Sequence, residues 1–246
     1  MGPLAAILPL ALSLAAPSQA SRLDAALVPA FRAIRAGRHE EARAGLDAYL
    51  GKPGAAHAGQ AEFLLGLSYH EQHLYASARE HFARARALEP GYALTGFFYG
   101  FALFNLGRLE DARRELEAYA ALAPDDPETR FGLGLVALEQ DRVEDAEAAF
   151  GRAIALGEAR AKGGPASANL REDLARYRAR LADVYVRRGE LAKAREALER
   201  SVALWPDHFE PWHKLAWVLE RQGDPEGAAR AELKSQEALH RRARTP

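Results

Sequence analysis

Gly66, Gly100 and Gly134 stand 34 residues apart, and around each of them the neighbouring residues recur in the same order. A period of this length constrains the fold more than composition does. Each copy is too short to bury its own apolar faces, so the core has to come from stacking copies on one another. An alanine recurs at Ala42, Ala78, Ala112, Ala146, Ala194 and Ala228. Five places before it a turn residue recurs at Gly37, His73, Gly107, Asp141, Gly189 and Gly223. Prolines close three copies, at Pro90, Pro124 and Pro206. Three markers in one register count six repeats, over about 23–56, 59–92, 93–126, 127–160, 175–208 and 209–242.

Each marker has a physical task. Small residues at Gly66, Gly100, Gly134, Ala182 and Ala216 let one helix of a repeat approach the other, and Phe82, Leu116, Phe150 and Leu198 fill the space between them. Glycine past a helix end takes a positive φ without Cβ strain, and proline cannot continue a helix, so these residues mark turns and repeat ends. The clearest copy runs Leu65-Gly66-x-x-Tyr69, then Ala78, Phe82, Ala85 and Pro90. In that order the residues resemble the tetratricopeptide repeat, a helix-turn-helix unit. The resemblance implies an all-α fold, a right-handed α-solenoid of about six repeats spanning residues 21–246.

Residues 1–20 carry no ionisable side chain, and Leu4–Ala16 is an apolar run followed by Pro17-Ser18-Gln19-Ala20. The segment looks like a secretory signal peptide: the run is short for a bilayer span, and Ser18 and Ala20 place small residues where cleavage needs them. The expected cut follows Ala20, and the expected location is periplasmic or secreted, with no transmembrane segment once the leader is gone. It departs from the pattern in lacking an early Lys or Arg, which leaves a buried additional helix as the alternative reading. The chain has no cysteine, which rules out disulfides, thiol catalysis and cysteine metal sites. A formal net charge of −1 makes nucleic acid a poor partner.

The spacing from Ala146 to Ala194 is fourteen residues longer than one repeat. The excess falls over about 157–170 around Gly163-Gly164-Pro165 and reads as a loop, with Ser167 or Asn169 capping a long helix to about Arg188. The first repeat departs most from the pattern, with Pro29 where its first helix should carry an apolar residue. Glu232 and Ser235 make the closing helix polar, which suits a solvent-facing cap.

In arrays that resemble this one, first helices line a concave groove through the second, fifth, ninth and twelfth places of each repeat. Repeat two places Gln60, Phe63, Leu67 and His70 there, repeat three Leu94, Phe97, Phe101 and Phe104, and repeat four Glu128, Phe131, Leu135 and Leu138. Repeat five places Arg176, Ala179, Asp183 and Val186, and repeat six Glu210, His213, Trp217 and Glu220. The floor is apolar and aromatic, then turns polar. The candidate partner-binding residues are Phe63, Leu67, Phe97, Phe101, Phe104, Phe131, Leu135 and Leu138, a surface for an apolar peptide or helix. The stretch from Phe97 to Phe104 is apolar on every side, so something is expected to cover it: a bound partner, a second copy, or this chain's own loop at 157–170 or N-terminal helix. A carboxylate clamp of Lys and Asn at the fifth and ninth places does not carry over, because Phe and Leu stand there.

Signals for chemistry are weak. His70-Glu71-Gln72-His73 has its histidines at i and i+3 rather than i and i+4 and reads as surface histidines. Gly132-Leu133-Gly134 has no preceding strand, and Gly51-Lys52 lacks the rest of a phosphate loop. Glu110 with Arg114, and Glu196 with Arg200, read as i, i+4 pairs. His240-Arg241-Arg242-Ala243-Arg244 reads as a frayed, solvated end. These features describe a non-catalytic scaffold or adaptor with no cofactor and no metal, whose partner is another protein or peptide. The alternative is a structural subunit that self-associates through the same groove.

Overall fold

The computed structural model describes residues 23–162 and 167–244. The expected leader and Gly163-Gly164-Pro165 lie outside them. The described residues form twelve α-helices in six hairpins: α1 (Val28–Arg35) with α2 (His39–Leu50), α3 (Ala58–Glu71) with α4 (Tyr75–Leu88), α5 (Leu94–Asn105) with α6 (Leu109–Leu122), α7 (Pro127–Glu139) with α8 (Val143–Lys162), α9 (Ala168–Arg187) with α10 (Leu191–Leu204), and α11 (Phe209–Arg221) with α12 (Pro225–Arg244). The fold class is the all-helical solenoid of hairpin repeats. The chain divides after Pro124 into two compact halves, each described on its own below.

Every hairpin turns at the residue the period marks. Gly37, Gly107, Gly189 and Gly223 have φ between 71° and 79°, and His73 and Asp141 take the same conformation at 61° and 58°. The next residue then donates its N–H to the carbonyl five places back, as from Arg38 to Ala33, Leu74 to Tyr69 and Arg142 to Ala137, at 2.8–2.9 Å. This bond stops the first helix and aims the chain back along it. His73 and Asp141 hold a conformation that costs an L side chain more than glycine.

Close approach sets the packing within hairpins. A Cβ on Gly66 would meet the Phe82 ring at 2.6 Å, one on Gly100 would meet Leu116 at 2.7 Å, and one on Gly134 would meet the Phe150 ring at 2.5 Å. Phe82, Leu116 and Phe150 are fully buried. In the C-terminal half Ala182, Ala194, Leu198, Leu215, Ala216 and Ala231 belong to one cluster by the same small-against-large logic.

Several expectations need correction. The insertion is mostly helix: α8 and α9 each run 20 residues, against 14 and 13 for α6 and α7. They keep packing along the added length, where a Cβ on Gly157 would meet Leu174 at 2.8 Å. Ser167, not Asn169, caps α9, accepting from the Leu170 N–H at 3.2 Å. Pro29 lies in the first turn of α1, where a missing N–H is harmless. Ser235 is buried, donating to the Phe209 carbonyl at 3.1 Å, as Ser201 does to the Ala175 carbonyl at 2.8 Å one repeat earlier. Glu110 pairs with Arg113 and Arg114 with Asp111, whereas Glu196 and Arg200 pair as expected. The basic tail is not frayed: α12 reaches Arg244, and Arg241 is held to Asp207 at 2.7 Å.

Two substitutions test this account. Gly134→Val forces a branched side chain into the Phe150 ring and should cost about 2–3 kcal/mol in urea unfolding, with part recovered by Phe150→Leu in the same chain. Asp141→Gly removes the strained turn residue and should add up to about 1 kcal/mol.

Candidate partner-binding face

In the N-terminal half the face assigned to partner binding is closed. Phe63, Leu67 and Phe97 have no exposed surface, Phe101 keeps 1%, and Gln60, His70 and Leu94 are also buried. Phe104 is half-buried at the end of α5. Phe97 packs edge-on against Phe98 and Phe101, with centroids 5.1 and 5.0 Å away, and tilted against Tyr119. Phe63 sits among Phe82, Tyr92 and Phe98. The structure thus brings these side chains together as a continuous aromatic mass.

His70 is not a surface residue. It lies against Tyr75, Phe82 and Phe98, and its Nε2 has no hydrogen-bond partner. Burial, with a smaller effect of His73, lowers its pKa to about 4. His73 stands at the turn, 2.8 Å from the Tyr75 hydroxyl. Among the described residues there is no group of three or more His, Asp or Glu able to hold a metal ion.

In the C-terminal half Phe131, Leu135 and Leu138 are buried as well. At the second place of repeats four and five, Glu128 and Arg176 meet in the interior. One Arg176 Nη2 donates to Glu128 Oε1 at 2.9 Å and also to Asp173, while the Tyr177 hydroxyl donates to the same Glu128 oxygen. The guanidinium lies 5.3 Å over the Phe131 ring. Burial pushes the Glu128 carboxyl well up and Arg176 pulls it back. The cluster is incompletely satisfied, since Glu128 Oε2 and Arg176 Nε and Nη1 have no hydrogen-bond partner. Both second-place charges stand in the sequence, but their pairing and the parts of Asp173 and Tyr177 do not show there. The nearest hint is an acid and a base at equivalent places of consecutive repeats.

The equivalent places of repeat six are open. Trp217 is 39% exposed with Arg221 stacked 4.6 Å over its ring, and His213 and Glu220 are exposed beside it. His213 pairs with Glu232 at 3.0 Å and Lys214 grips Asp183 at 2.6 Å. A hydrogen bond from His208 holds the Glu210 carboxyl down to about 2, so it is anionic at any ordinary pH. The result is an amphipathic tryptophan inside a mixed-charge rim, the residue mix that anchors protein contacts.

An all-helical hairpin array whose first helices present side chains at four fixed places is the architecture of repeat proteins that bind through those places. Tetratricopeptide repeat profiles match residues 69–129, and a second such profile matches residues 101–165 and 179–239. The chain belongs to the tetratricopeptide repeat family. Among curated proteins none matches it. Among solved structures it is similar to MamA, at 22% identity and TM-score 0.59 over 73% of this chain and 96% of that one. It is similar to the APC/C hetero-tetramer Cut9-Hcn1, at 20% identity and TM-score 0.69 over 86% of this chain and 39% of that one. BtubC from P. vanneervenii aligns at 14% identity and TM-score 0.62 over 90% and 92%. At these identities the likeness establishes the fold. Among the described residues no helix is long and apolar enough to cross a membrane.

The ionic cluster and the buried histidine yield two tests. Arg176→Ala leaves buried carboxylates without their cation and should cost about 3–5 kcal/mol in urea unfolding, with part regained in the triple variant that adds Glu128→Gln and Asp173→Asn. His70 takes up its proton in the unfolded chain near pH 6.5 and in the folded chain only near pH 4, so its share of stability is complete above neutrality and drains away as pH falls. Glu71, raised to about 7 by burial, acts in the opposite direction, so the effect is read against a variant. The stability of His70→Leu relative to wild type should rise by about 2 kcal/mol between pH 7.5 and 5.

Proposed function

We propose that this protein is a non-catalytic interaction scaffold that works outside the cytoplasm, binding another protein through the first-helix faces of its repeats. One observation carries the reading: the same repeat places are sealed and aromatic in α3 and α5 but open in α11, where Trp217 stands among charges. The α11 face offers the first contact, with Trp217 and Arg221 as anchor and Glu210, His213 and Glu220 as rim. The apolar faces, with Phe63, Leu67, Phe97, Phe101 and Phe104 in one half and Phe131, Leu135 and Leu138 in the other, suit an apolar peptide or helix once they are uncovered. Export rests on the leader-like residues 1–20, with cleavage after Ala20. The tetratricopeptide fold supports binding over catalysis, and no motif for chemistry survives the sequence reading.

The test is crosslinked capture from the native cells with wild type and with Trp217→Ala, an exposed substitution that leaves the hairpin core intact. Loss of an anchor of this kind costs about 2 kcal/mol or more, so a specific partner should fall by tenfold or more. A captured set unchanged by Trp217→Ala would move the contact away from α11. A purified wild type that forms a defined oligomer dispersed by the same substitution would favour the self-associating subunit instead. Amino-terminal sequencing of the mature protein should begin at Ser21.

A further inference from the structure

The open face of α11 has a counterpart in the interior of the array. In repeats two, four and five the places that lie open in α11 are met by the first helix of the following repeat. At the second place Glu128 accepts from Arg176 at 2.9 Å and from the Tyr177 hydroxyl. At the fifth, the Phe63 ring centroid lies 5.6 Å from that of Phe98, and Phe131 lies 5.0 Å from Tyr177. At the ninth, Lys214 grips Asp183 at 2.6 Å, and at the twelfth His70 meets Phe98 edge-on. The second helix of the repeat shares in receiving the newcomer. A Cβ on Gly96 of α5 would meet Arg86 of α4 at 2.7 Å, and one on Gly157 of α8 would meet Leu174 of α9 at 2.8 Å.

Repeat six turns the same surface to solvent. Among the described residues α12 is the last helix. On α11 His213, Trp217 and Glu220 are exposed, and Glu210 keeps 46% of its side chain exposed. On α12 the places matching Arg86 and Gly157 hold Gln236 and Leu239, both exposed, Leu239 by 48%. Two large apolar side chains, Trp217 and Leu239, thus meet water on a surface that elsewhere in the array receives a helix. The acids say which kind of helix. In the C-terminal half both acids at these places in repeats four and five, Glu128 and Asp183, take a cation from the incoming helix, Arg176 or Lys214. Repeat six sets Glu210 at the second place and Glu220 at the twelfth.

We propose that the α11 and α12 face of repeat six receives an amphipathic α-helix of a partner protein, stacked as a seventh first helix, with its apolar stripe on Trp217 and Leu239 and a Lys or Arg toward Glu210. The proposal rests on the reading of α11 as the contact face and adds the partner's conformation and charge. Capture lost with Trp217→Ala while no helix binds would keep that reading and remove this one. A bound helix with capture unchanged would do the reverse.

The experiment titrates the full-length chain into a dye-labelled synthetic peptide of about 18 residues, about 27 Å of helix, with Leu and Ala on one face and Lys on the other. One control peptide carries Glu in place of every Lys, and a second carries two central prolines that break the helix. The expected result is saturable binding of the Lys peptide with a gain of helical circular dichroism. Trp217→Ala/Leu239→Ser should weaken it about tenfold or more, and Glu210→Gln about threefold. Equal binding of either control peptide, binding that these variants leave unchanged, or no binding would each overturn the proposal. So would a wild-type chain that self-associates and is dispersed by Trp217→Ala/Leu239→Ser, because a second copy would then occupy the face.

Discussion

The whole arrangement depends on one repeated contact, a glycine of the first helix lying flat against a large side chain of the second. Where Gly66 meets Phe82, Gly100 meets Leu116 and Gly134 meets Phe150, the helices come closer than any side chain on the first would allow. That closeness fixes the rotation of each first helix, and with it where the second, fifth, ninth and twelfth places fall, the fifth-place Phe63, Phe97 and Phe131 reaching the second-helix residues Phe82, Tyr119 and Phe150. The candidate face is therefore a by-product of the core. Its composition can vary from repeat to repeat while its geometry stays the same.

That freedom explains the gradient of chemistry along the chain. In α3 and α5 the face is aromatic and sealed, in the C-terminal half Glu128 and Arg176 turn it into a buried ionic cluster, and in α11 it is open and charged. Buried ion pairs contribute less to stability than their geometry suggests, because two charges have given up water to form them. The unpartnered atoms of Glu128 and Arg176 sharpen the point. The cluster bridges repeats four and five, and removing either partner would leave the other's charge buried without compensation.

The hairpins, their turn residues and their small-against-large contacts could be read from the sequence because each follows from local spacing. Gly37 and Asp141 occupy the same backbone conformation although their side chains share nothing, and only the period reveals it. What the sequence hid depends on neighbours distant in the chain. His70 looks like a surface histidine until Phe82 and Phe98 close over it, and Ser235 looks solvent-facing until the Phe209 carbonyl reaches it. The eight candidate residues Phe63, Leu67, Phe97, Phe101, Phe104, Phe131, Leu135 and Leu138 were legible as one kind of surface, but whether that surface meets water is not a local property. The fourteen extra residues read as a loop because Gly163-Gly164-Pro165 is a helix-breaking sequence, yet the described residues on either side, up to Lys162 and from Ala168, are helical.

The lengthening of α8 and α9 by six and seven residues has a consequence for how such a chain can change. Two turns of α-helix take about seven residues, so the added lengths extend both helices by nearly the same distance, about 10 Å, and keep them matched along their extra contact. The extra length lies at the C-terminal end of α8 and the N-terminal end of α9, two helices of consecutive repeats, so it leaves the turn and the packing within each hairpin as they are. An array of this kind can thus lengthen between repeats, by extending two neighbouring helices together, without disturbing the repeats that follow.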